Sequence, residues 1–332
     1  MKILKWLGIA LLVLIVLVVV IGALVADIGF NALRDSARIK HDTRPEFTSG
    51  VRVMIQPQYA SFLLRETVWR KMPEAPGWLV DYMLPYEITA QSVPDLTGNT
   101  VPVNLFFNTR RFGPMYKKFI PRIIEENPRG AVEWDVASIA TPGRGVVTMR
   151  GTLPLDPPTK NAIAERWGET TIPTPLPMEG THLAELRADN RGGALYAFIS
   201  AILADQAKKK AAAQAEADPA APKQPGMNDF QRDALVKVAV KDITDIHITV
   251  DLEESGLLTL MFSLEFAPDH IEETPAALVQ QIDVAVAQIQ QNAERNGITV
   301  EGSHKLEGLQ IQGSYTADNI LKLLPPSTVP AS

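Results

Sequence analysis

Residues Trp6 to Ala26 (WLGIALLVLIVLVVVIGALVA) form an uncharged, mostly branched-aliphatic run close to the amino end. About 20 apolar residues in a helix cross the roughly 30 Å hydrocarbon core of a bilayer. No other stretch of the chain offers such a run. It predicts a single transmembrane helix from which the remainder, beginning at Asp27, hangs as globular sequence. A cleaved signal peptide has a shorter apolar stretch, about 7–15 residues, closed by small residues in an A-x-A-like arrangement. Here Leu24-Val25-Ala26 places bulky Leu24 where a small residue is needed, so retention of the anchor is expected.

Lys2 and Lys5 flank one side of the run, and Arg34, Arg38 and Lys40 flank the other, so the positive-inside count is nearly balanced. Long following domains translocate largely regardless of charge. The short basic start therefore places the bulk of the chain outside the cytoplasm, on the periplasmic side of an inner membrane. The chain contains no cysteine, which excludes disulfides, thiolate metal sites, cysteine nucleophiles and a lipid-modified cysteine anchor. Its net charge of −6 argues against nucleic acid as a partner, which needs a basic face.

Beyond the anchor, alternation and turn signals give one order of elements twice. In the second half, Ile246, Ile248, Val250 and Leu252 alternate with polar residues, Glu254-Ser255-Gly256 turns the chain, and Leu258 to Phe266 alternate back. A helix follows, started by Thr274-Pro275 and stopped by Asn296-Gly297, with Leu278, Ile282, Ala285, Ile289 and Ala293 as its inward stripe. Short strands over 298–302 and 306–315 complete the set. In the first half, Tyr86, Ile88 and Ala90 pair across Thr97-Gly98-Asn99 with Val101, Val103, Leu105 and Phe107. A helix over 114–127 and strands over 132–136 and 146–153 follow. Met149-Arg-Gly151-Thr-Leu153 parallels Ile311-Gln-Gly313-Ser-Tyr315.

The fold class expected is therefore α+β: a transmembrane helix and then two similar units, each of antiparallel hairpins under a covering helix, related by internal duplication. The divisions are 1–26 for the tail and anchor, 27–50 for a juxtamembrane segment, 51–153 for unit one and 183–318 for unit two. A proline-rich connector spans 154–182, with a short helix at 160–167 inside it. An Ala/Lys-rich insert occupies 207–224, and a tail occupies 319–332.

Chemistry leaves few marks. No G-x-S-x-G, H-E-x-x-H, Walker A, dinucleotide-binding or EF-hand pattern is present. His270 and Glu273 are spaced for one helix face, yet a metal site needs three or four convergent ligands. Asp189-Asn190-Arg191-Gly192-Gly193 ahead of a helix suits either an anion-binding backbone nest or a capped helix start. His247 falls on the polar side of its strand. No catalytic, cofactor or metal residue is assigned.

One charge contrast stands out. The first helix region holds Arg110, Arg111, Lys117, Lys118 and Arg122, while its counterpart in the second half holds only acids. These five cations are the candidate contact for anionic lipid or for a protein partner, and equivalent faces of opposite sign could dock on each other. The function expected is an extracytoplasmic binding or assembly module, held by Trp6–Ala26 and meeting a protein partner at the membrane. Two alternatives are a lipid-binding cavity lined by Phe262, Leu264, Phe266, Leu278, Ile282 and Ile289, and a hydrolase whose acidic and histidine side chains converge only in the fold.

Overall fold

The computed structural model describes residues 50–62, 84–92, 100–109, 112–126, 132–143, 145–168, 181–204 and 237–323. Trp6–Ala26, Arg110, Arg111 and the insert 207–224 lie outside the described residues. Among the described residues no helix is long and apolar enough to cross a membrane.

The strands are β1 (Val51–Ile55), β2 (Glu87–Ser92), β3 (Thr100–Asn108), β4 (Glu133–Gly143), β5 (Val146–Pro154), β6 (Ala184–Asp189), β7 (Ile243–Leu252), β8 (Leu258–Phe266), β9 (Val300–Glu307) and β10 (Gln310–Ala317). The helices are α1 (Gly113–Glu126), α2 (Pro157–Trp167) and α3 (Thr274–Arg295), with further helical turns over 194–204 and 237–242. The β2–β3 and β7–β8 hairpins fall where alternation predicts them, whereas the β9–β10 hairpin turns at Gly308-Leu309, inside the strand expected over 306–315. The expected fold class is overturned: two α+β units are replaced by one ten-stranded, wholly antiparallel sheet, ordered β4-β5-β3-β2-β1-β6-β7-β8-β10-β9. β1 pairs with β6, Val51 opposite Ala188 through Ile55 opposite Ala184, and that seam fuses what the sequence reads as separate units. Outward from the seam, both halves run through their strands in the same spatial order, first, second, third, fifth, fourth.

Because paired residues share a face, the register sorts every side chain. One face carries Val51, Val101, Val103, Leu153, Leu264, Phe266 and Ile311, all buried in one cluster. α2 contributes Ile163, the turns over 194–204 contribute Leu195, Tyr196 and Ala197, and α3 contributes Leu278 and Ile282 from above. A second cluster joins Ile120 and Ile124 of α1 to Val147, Met149 and Phe107. The helices seal this face. α3, however, turns differently from its expected stripe: Ile289 is 57% exposed and Ala285 is exposed, while Val279 packs inward.

Local signals explain α2, which occupies the first half of the expected connector. Asp156 accepts the Thr159 amide at 2.6 Å, and Pro157 and Pro158 fill helical positions whose amides have no partner anyway. The start of the turns over 194–204 depends on Gly193. Its φ of +73° is left-handed, and a Cβ there would lie 2.8–2.9 Å from Trp167 and Ile163.

Candidate functional site

The opposite face of the sheet is mostly polar, with Met54 and Phe106 buried in it near the seam. One rung of directly paired residues crosses all ten strands: Asp135, Arg150, Asn104, Gln91, Arg52, Arg187, His247, Ser263, Gln312 and Lys305. The next rung in the second half runs Glu185, Thr249, Met261, Ser314 and Ser303. Near the seam this face is buried, with Arg52, Thr89, Glu87 and Glu185 all among the least accessible residues. Beyond β6 it opens.

There the twist and curvature of β7, β8, β10 and β9 form a groove of about 520 Å³. His182, His247, Thr249, Ser263, Gln312 and Lys305 are among the residues that line it. Each histidine meets a carboxylate. His182 Nδ1 lies 2.9 Å from Asp251, and His247 Nε2 lies 3.1 Å from Glu185. The Glu185 side chain is 0% exposed, and its second oxygen, Oε2, is buried without a hydrogen-bond partner. A buried carboxylate costs free energy unless satisfied, and the His247 ring gives Glu185 Oε1 a polar contact. Lys305 is paired with Glu307 at 2.6 Å, and Gln310 Nε2 donates to Ser263 Oγ at 2.7 Å. The groove thus offers hydroxyls, an amide, two imidazoles and one ammonium, with each imidazole and the ammonium beside a carboxylate.

An acidic rung borders it, running Asp189, Asp245, Glu265, Gln310 and Glu307. Burial pushes the Asp245 carboxyl up, partly offset by Arg187, and Asp189 and Glu265 raise it further. A raised folded-state pKa means that ionising Asp245 costs stability: the group does no harm below its unfolded pKa and is destabilising once pH passes the folded value. Asp245→Asn should therefore be more stable than the parent at pH 7. The gain should shrink as pH falls toward about 4, where the unfolded chain also begins to hold that proton. Denaturant midpoints of both proteins at the two pH values test this, and an equal gain at both would refute it.

The sequence-based candidates disperse. Lys117 and Lys118 are exposed on α1, and Arg122 belongs to the same helix. α1 packs on β4 and β5 and α3 packs on β9, at opposite ends of the sheet, so the two helices of opposite charge do not face each other within one chain. The Asp189–Gly193 segment is a capped helix start. Asp189 accepts the Arg191 amide and guanidinium, and the Gly193 amide is spent on the Asn190 carbonyl. His270 Nδ1 donates to the Ala267 carbonyl of its own turn at 2.6 Å. Among the described residues no group of three or more His, Cys, Asp or Glu side chains is placed to hold a metal. The stripe expected to line an apolar cavity packs instead as core, apart from exposed Ile289.

His247 is the residue that sequence reasoning passed over. Alternation places it on the polar side of β7, but its partner Glu185 lies 62 positions away on β6. Only the strand order brings them together. No known family, curated protein or solved structure matches the chain, so the groove is interpreted from its own geometry.

Proposed function

We propose that the chain is a membrane-tethered binding module, held by Trp6–Ala26 on the periplasmic side of an inner membrane, that receives a polar segment of a partner in the groove over β7–β10. One observation supports this above the others: among the described residues α1, α2 and α3 pack on the apolar face, and over β7–β10 a concave surface of about 520 Å³ with hydrogen-bonding side chains lies open on the other. Sites of this size, with a few convergent polar groups, suit small polar ligands or loops. A tether raises the local concentration of partners in the same bilayer.

The proposal is tested with a photoreactive residue at Met261, which is 53% exposed on the groove floor, and with another at Val284 on α3 as control. In native membranes an adduct should form from position 261 and not from 284. His247→Ala should reduce it several-fold, because Glu185 then loses its partner and the groove wall loses its shape. Equal labelling from both positions, or indifference to His247→Ala, would reject the groove as the binding surface.

A second reading, hydrolysis, draws on a single arrangement: Glu185 engages His247, and His247 stands directly opposite Ser263 across β7 and β8. Against it, Ser263 Oγ accepts from Gln310, and the N–H groups in a sheet interior are consumed by ladder bonds, leaving no backbone donors for an oxyanion. Binding is the better account.

A further inference from the structure

The two edges of the sheet differ. β4 is blunted: its pairing with β5 shifts register twice, between Asp135 and Ala140 and again before Gly143, and Ser138 Oγ takes the place of backbone in accepting the Arg150 amide. Bulges of this kind protect an edge from adding further strands. β9 is regular. All eight of its residues pair with β10 without a shift, and among the described residues no strand lies on its other side.

The orientation of the free backbone groups follows from one bond. The Asp318 amide donates to the Thr299 carbonyl at 3.0 Å, immediately outside the paired region. By alternation, Glu301, Ser303, Lys305 and Glu307 turn their backbone groups toward β10, while Val300, Gly302, His304 and Leu306 turn theirs to the open edge. The Val300 carbonyl also accepts Gln290 Nε2 from α3 at 3.2 Å, which leaves a second lone pair.

An antiparallel strand added there must pair these outward groups, and the sequence of β9 is complementary to its own reverse. With the twofold axis at Ser303, Val300 falls opposite Leu306, Glu301 opposite Lys305, Gly302 opposite His304 and Ser303 opposite itself. Apolar meets apolar, acid meets base and glycine meets an imidazole, each twice. Moving the axis to His304 sets Glu301 against Glu307, and moving it to Gly302 leaves Lys305 opposite Thr299. Directly opposed like charges destabilise a sheet and opposite charges stabilise it, so one register is selected.

We infer that β9 is the contact between two copies of this chain, joined edge to edge about a twofold axis through Ser303 into one continuous sheet. An isologous pairing of this kind closes on itself and removes the regular edge at β9. The axis stands perpendicular to the sheet, so both polar grooves open on the same side and meet across the new seam, with Ser303 and Lys305 on their shared rim.

The absence of cysteine makes the test direct. Ser303 would occupy a non-hydrogen-bonded pair, where opposing Cα atoms lie about 4.5 Å apart, within the range a disulfide spans. In membranes carrying the full chain, Ser303→Cys should give a disulfide-linked dimer on mild oxidation, and Ala137→Cys on the bulged β4 should not. A monomer from both, or a dimer from both, would overturn the inference. Sedimentation of the full chain in detergent supplies a readout free of new cysteines. Lys305→Glu should weaken self-association about tenfold, because both Glu301–Lys305 pairs become repulsive. The double variant Glu301→Lys/Lys305→Glu should restore it. Equal behaviour of the single and double variants, or a monomeric parent, would also overturn it.

Discussion

Asn190→Ala is expected to destabilise the protein by roughly 3–5 kcal/mol, since each buried group left unsatisfied costs about 1–3 kcal/mol. Asn190 is 0% exposed. Its Nδ2 donates to the carbonyls of Val240 and Ile243 at 2.6 and 2.8 Å, and its Oδ1 accepts the Tyr196 amide at 3.1 Å. One side chain therefore joins the end of β6 to the start of β7 and to the turns over 194–204. Truncation removes three bonds and strands two carbonyls and an amide in the interior. The denaturant midpoint should fall while the slope of the transition stays unchanged, because the same surface is still exposed on unfolding. A loss below about 1 kcal/mol would mean that water or a shifted helix satisfies those groups.

Phe266→Ala should cost a similar amount, about 3–5 kcal/mol, by a different route. Phe266 is the largest of the fully buried side chains, 1% exposed, and its ring lies 5.7 Å from that of His270. Removing it combines lost transfer free energy with a cavity beneath the first turn of α3. That turn is otherwise held by Asp242, which accepts the Thr274 hydroxyl at 2.7 Å and the Ile271 amide at 3.1 Å. Protease cleavage near 267–273 should accelerate in the variant at temperatures where the sheet is intact. Phe266→Leu should recover part of the loss, because it refills much of the cavity that alanine leaves. Equal losses in both variants would show that the ring, and not its volume, sets the stability.

Much of the local structure is legible because it is written in short-range terms. Ile246 to Leu252 and Leu258 to Phe266 alternate with period two, and Glu254-Ser255-Gly256 supplies a turn at which Gly256 takes a φ of +88°. Thr274-Pro275 and Asn296-Gly297 mark the ends of α3, although Thr274 is its first residue and its hydroxyl donates to Asp242 instead of capping the helix. The inward face of α3 was less legible. Val279, Val284 and Ile289 are all apolar, and only packing on β9 decides which of them faces the sheet.

The groove shows the same division more sharply. His247, Ser263, Gln312 and Lys305 are polar residues on four strands, and each by itself reads as solvated surface. Their alignment depends on strand order and register, properties of hydrogen-bonded edges that leave no periodic trace in any one strand.

Sequence alone determined the β2–β3 and β7–β8 hairpins, the placing of α1 and α3, and that a long greasy segment precedes them, because backbone sterics and hydrophobic periodicity act over a few residues; it did not mark β1 or β6. Tertiary structure alone decided that β1 meets β6 to make one sheet out of two expected units, and that Glu185 lies against His247. Those outcomes depend on which edges close together in space, and loop closure over tens of residues is indifferent to the local pattern on either side.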